Sequence, residues 1–148
     1  MRPGIQTGFK HEELRKYGCY FFTLCAWAHL AFGKQFSDDF IIQKFEEYKK
    51  RTFRDKNGRA VPWIGDKSFL NNPVLIFNDL AGRPGYFKNA EHTGFIPATR
   101  RFPVFFQGSI PHFALGQIEN GKVQIIFDSW DPPALRRGMA VTNFRSFA

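Results

Sequence analysis

The chain has 148 residues, 43% of them hydrophobic with 19 Phe among them, and a net charge of +8 from 21 basic and 13 acidic residues. This composition argues against disorder and points to one domain over residues 1–148, which at this length buries roughly two-thirds of its unfolded surface without staples. No apolar run approaches the roughly 20 residues of a membrane span, and no apolar stretch before Lys10 reads as a signal peptide. The expectation is therefore a protein with no transmembrane segment, cytoplasmic or released by a non-standard route.

Residues 1–16 read as an irregular arm with one helical turn at Glu12–Lys16, broken by Gly18. A helix follows from Cys19 to Phe32, apolar almost all round as a buried helix is, with Gly33 as its C-cap. Ser37 then caps a helix from Asp38 to about Lys50, with acids in the first turn, lysines in the last and an apolar stripe of Phe40, Ile41, Phe45 and Tyr48. Asp55-Lys56-Asn57-Gly58 is a turn. Asn72 and Pro73 open a third, short helix that Gly82 ends. Beyond Pro84 the pattern changes to β-like runs at Phe102–Phe106, His112–Ile118, Lys122–Asp128 and Ala140–Phe147. Asn120-Gly121 joins the middle two as a hairpin. Helices first and an antiparallel sheet afterwards make an α+β domain.

Cys19 and Cys25 do not form a disulfide if that helix is real, because six residues rise about 9 Å, beyond what the bond tolerates. Neither Cys-x-x-Cys nor His-x₃-His spacing is present, so no metal and no cofactor is expected. The basic cluster Lys49-Lys50-Arg51 and Arg54 reads first as a helix end complementing its dipole. Its other reading is a patch for an anionic polymer such as nucleic acid, anionic lipid or a cell-wall polymer.

Cys19 stands at the first turn of the apolar helix, where backbone N–H groups and the positive dipole end favour thiolate. A nucleophilic cysteine also needs a base, and the base needs an orienting group. His112 opens a strand after Gly108-Ser109-Ile110-Pro111, and Asp128 ends the next strand. If Asn120-Gly121 is a two-residue turn, His112 falls opposite Ser129, and a bulge or longer loop would bring Asp128 level. His92 is the rival base. His11 in the arm is expected to be exposed, and His29 lies about 15 Å along the helix from Cys19. A lone cysteine is more often core than catalytic, and Cys25 reads as core; the joint order of Cys19, His112 and Asp128 is what favours chemistry.

Three segments carry a resemblance: Tyr17-Gly18-Cys19-Tyr20-Phe21-Phe22-Thr23-Leu24, Pro111-His112-Phe113-Ala114-Leu115-Gly116, and Val123-Gln124-Ile125-Ile126-Phe127-Asp128-Ser129-Trp130-Asp131. Together they resemble a papain-like cysteine peptidase domain of the compact bacterial and phage type. The chain is similar to the bacteriocin-processing (double-glycine leader) peptidases and their stand-alone relatives. The resemblance implies N-terminal helices packed on a C-terminal antiparallel sheet, and acyl transfer with Cys19 as nucleophile, His112 as base then acid, and Asp128 orienting it. Such enzymes also place a Gln a few residues before the Cys as an oxyanion donor. Here that spacing holds Glu13, and Gln6 is the nearest upstream candidate, provided the arm folds back. The substrate would be a leader peptide, a peptidoglycan-like stem peptide or an isopeptide. The alternative is a catalytically inactive module of the same fold that binds a peptide or polyanion; a plain structural protein is the third reading.

Overall fold

The computed structural model describes all of residues 1–148. Helix α1 (Glu12–Tyr17) runs through Gly18 directly into α2 (Cys19–Phe32), followed by α3 (Asp38–Lys50). A two-stranded hairpin of β1 (Thr52–Arg54) and β2 (Ala60–Pro62) leads to α4 (Pro73–Ala81). The remaining strands are β3 (Ala90–Thr93), β4 (Arg101–Phe106), β5 (His112–Glu119), β6 (Lys122–Phe127) and β7 (Val141–Phe147). They form one antiparallel sheet in the order β3-β7-β4-β5-β6, so the last strand inserts between β3 and β4. No helix is long and apolar enough to cross a membrane.

Local codes set the helix bounds. The Ser37 hydroxyl accepts from Phe40 N–H, Asn72 Oδ1 accepts from Leu75 N–H with Pro73 behind it, and Gly33 and Gly82 close α2 and α4 in the left-handed conformation. Gly18 is required for a different reason. A Cβ there would lie 2.5 Å from the Leu14 carbonyl oxygen, so only glycine lets α1 turn into α2 without a linker. His11 departs from expectation: it is not an exposed arm residue. Its Nδ1 accepts from Leu14 N–H and caps α1, while Nε2 lies 2.8 Å from Glu46 Oε1.

The sheet has two packed faces. On one, Leu115, Phe127 and Phe147 join α2, α3 and α4 in the main core, where Trp27 meets the rings of Phe77, Phe87 and Phe147. On the other, Phe102, Val104, Phe106, Ala114 and Phe144 gather around Ala134. Ile41, Phe45 and Tyr48 of the expected α3 stripe are buried, whereas Phe40 is exposed at the rim and stacks on Phe36. The basic cluster is mostly committed to internal partners. Lys49 pairs with Glu13, and Arg51 pairs with Glu47 and Asp79 while lying over Trp63.

Candidate functional site

β5 and β6 pair from Glu119↔Lys122 to Gly116↔Ile125, then shift so that Leu115 faces Phe127. Ile126 is therefore the extra residue of a bulge, but the bulge does not bring Asp128 level with His112, as the hairpin argument expected. Its effect is on facing rather than level. Continued, the new register sets Asp128 beside Ala114, two residues from His112 and on the same face; without the bulge Asp128 would share the face of Phe113. His112 Nε2 lies 2.6 Å from Asp128 Oδ1, and both residues are buried. Asp128 is itself held by Trp130 N–H on Oδ1 at 2.9 Å and Ala134 N–H on Oδ2 at 2.8 Å. An ionised carboxylate only accepts, so the Nε2 proton belongs to this bond and Nδ1 of the neutral ring is left as an acceptor. The Trp130 ring stacks on the imidazole with centroids 3.6 Å apart and covers the pair.

Cys19 sits at the start of α2 and is half-buried. Burial raises its thiol pKa to about 11, against the backbone N–H groups of Phe113, Tyr20 and Cys19 itself, which favour thiolate, while Asp128 adds to the rise. The helix-start effect expected from sequence is present but outweighed by desolvation. Cys19 and His112 make no hydrogen bond, and Nδ1 of His112 is buried without a partner. The two residues meet instead through Phe113, whose N–H faces the sulfur while its ring stacks on Tyr20 at 4.0 Å. His112 is the first residue of β5, so its ring stands at the strand's end, against Phe106 and Trp130.

Gln6 lies beside this group because the arm does fold back. Gly4 N–H donates to the Asp128 carbonyl and Gln6 N–H to the Ser129 carbonyl, both at 2.9 Å. The Gln6 side chain is buried; its Oε1 accepts from Ser129 Oγ at 2.7 Å and its Nε2 donates to the Arg15 carbonyl at 3.0 Å. One amide hydrogen remains. Glu13 points elsewhere, to Lys49 and Ser68.

The other histidines are apart. His92 is exposed on edge strand β3, with β7 and β4 between it and β5, and its pKa is lowered by burial and by Arg145. His29 Nδ1 lies 2.6 Å from the Lys34 carbonyl oxygen at the far end of α2. Cys25 is buried in the core, and burial pushes its thiol pKa up. A surface groove of about 830 Å³ lies by the Asn120-Gly121 turn, away from His112. A smaller one of about 530 Å³ runs beside Asp128 and Trp130 under Pro3 and Gly4. Sequence reasoning missed Ser129 as the partner of Gln6 and Trp130 as the cover on His112; their adjacency to Asp128 was the available signal. Compared with known proteins, the chain matches no family model, no curated protein and no solved structure.

Proposed function

We propose that this is a papain-like cysteine peptidase or amidase that cleaves a peptide or amide bond. The observation that carries the reading is the His112–Asp128 pair, covered by Trp130 and presenting an unpartnered Nδ1 at the strand end whose next N–H faces Cys19. In this reading the Cys19 thiol gives its proton to Nδ1 of His112 as sulfur attacks the carbonyl carbon. Asp128 holds the ring and stabilises the imidazolium. The oxyanion is met by the Cys19 N–H and the free amide hydrogen of Gln6. Collapse breaks the C–N bond, and the amine leaves with the proton from His112. Water, deprotonated by His112, then opens the thioester, releasing the acid and restoring the thiol.

The base is indispensable here. A thiol with a pKa of about 11 is thiolate in only about one molecule in ten thousand at pH 7. Catalytic hydrogen bonds often tighten only with substrate bound, so the missing thiol–imidazole bond is compatible with the role. Those same two facts favour the second reading, an inactive module of this fold that binds a peptide or anionic polymer. Iodoacetamide decides between them. Cys19 should alkylate faster than Cys25, with a rate–pH curve that moves up in His112→Ala, and Cys19→Ala should abolish amide hydrolysis. An unchanged curve in His112→Ala, or hydrolysis surviving in Cys19→Ala, would leave only the binding module.

A further inference from the structure

Arg145 is an anomaly beside this site. It is only 7% exposed, and none of the molecule's ion pairs includes it. Its Nη1 donates to the Asn143 side chain and the Phe144 carbonyl, while Nε and Nη2, the edge that grips a carboxylate with two parallel bonds, donate to nothing. The guanidinium lies over two rings, 5.0 Å from the Phe113 centroid and 5.1 Å from that of Phe105. These contacts fix its plane but do not neutralise it. The side chain is largely buried while its free Nε and Nη2 edge keeps access to the surface, and a guanidinium so placed is ordinarily paired with an anion.

A second unpartnered group packs on the same Phe113 ring. The Tyr20 ring stacks on Phe113, and its hydroxyl is buried with no hydrogen-bond partner. Burial raises the Tyr20 pKa against the opposing charge of Arg145, so the hydroxyl keeps its proton and remains a donor. Tyr20 follows Cys19 in the chain, and Phe113 follows His112. The uncommitted guanidinium edge and the uncommitted O–H thus flank the residue that joins the two halves of the site.

We infer that Arg145 and Tyr20 form a subsite for a carboxylate of the substrate, so that the chain acts on peptides carrying an acidic side chain or a free C-terminal carboxylate near the scissile bond. This inference rests on the peptidase reading, but binding tests it separately. The Cys19→Ala protein is titrated calorimetrically with blocked alanine heptapeptides carrying Glu or Gln at one position, and with an unblocked peptide ending in a free carboxylate. The expected result is at least about tenfold tighter binding of Glu than of Gln, the effect of charge-assisted hydrogen bonds. Preference for the free terminus over internal Glu would assign the carboxylate to the C-terminus. Adding Arg145→Met should bring the ratio to about one, and Tyr20→Phe, which removes one hydroxyl and keeps the stack, should narrow it. If Arg145→Met does not fold, the parent ratio and Tyr20→Phe decide. Equal affinities, no binding of any peptide, or a preference that survives a folded Arg145→Met overturns the subsite. Cleavage by the intact protein without a Glu preference sinks the subsite alone. An Arg145-dependent preference with no cleavage sinks the peptidase reading alone.

Discussion

Asp128 makes three hydrogen bonds with two oxygens, and each binds a different piece of the site: the imidazole of His112, the backbone of Trp130 and the backbone of Ala134. Its substitutions separate charge from shape. Asp128→Ala leaves one buried and one half-buried N–H group and one ring nitrogen without acceptors, which should lower stability by about 2–4 kcal/mol and hydrolysis at least about a hundredfold. In Asp128→Asn the amide oxygen can still take His112 and Trp130, but its NH₂ meets the Ala134 N–H, donor against donor. That variant should lose about 1–2 kcal/mol while keeping a larger share of activity than Asp128→Ala. Urea denaturation and hydrolysis rates on the same preparations check the order. Equal activity of all three proteins would remove Asp128 from the mechanism.

Among the elements, two contacts hold the helices in place. The turn from α1 to α2 depends on Gly18, and Gly18→Ala must displace the Leu14 backbone or move Cys19; overpacking of this kind typically costs about 1–3 kcal/mol. Thermal unfolding should show that loss together with slower Cys19 alkylation. If only stability falls, the turn does not position the thiol. The second contact ties α3 to α4. Asp79 accepts from the Tyr48 hydroxyl and from Lys44 at 3.2 Å, with Arg51 at 3.5 Å. Burial alone would raise the Asp79 pKa, but these bonds and charges prevail and hold it below the usual carboxylate range. A depressed folded pKa gives stability that is present above about pH 4, the unfolded value, and is lost as pH falls through the folded one. The acid limb of the stability–pH curve should therefore be shallower in Asp79→Asn than in the parent, and identical limbs would count against the tie. The helices were legible because their stops and starts are local: Ser37, Asn72-Pro73, Gly33 and Gly82 each act within one turn. β1, β2 and β3 were not. They are short and half-exposed, and their pairing depends on partners that sequence periodicity cannot see, most plainly in β3, whose neighbour β7 is the last strand of the chain.

For the molecule as a whole, the order Cys19, His112, Asp128 was readable because helix start and hairpin are separate local features. For their assembly a bulge and a folded-back arm could be named as conditions but not placed, because the bulge at Ile126 and the pairing of the arm with Ser129 depend on partners distant in the chain. Arg145 was equally hidden: nothing in its neighbourhood along the chain signals a cation destined for burial between Phe105 and Phe113. The arm closes the structure. Ile5 and Phe9 are 3% and 2% exposed, and burying two such side chains is worth about 3–6 kcal/mol, a large part of the roughly 5–15 kcal/mol that holds a domain folded. Deleting residues 2–9 should therefore leave a marginal fold with a broadened melt, which by itself says nothing of catalysis. Gln6→Ala is the discriminating change. It removes one latch between Ser129 and the end of α1 and should cost about 1–3 kcal/mol. If its free amide hydrogen also meets the oxyanion, kcat should fall about a hundredfold or more with little change in KM, measured at a temperature where the variant is fully folded. A kcat within a few-fold of the parent under those conditions would make Gln6 a latch alone and leave the Cys19 N–H as the sole donor named for the oxyanion.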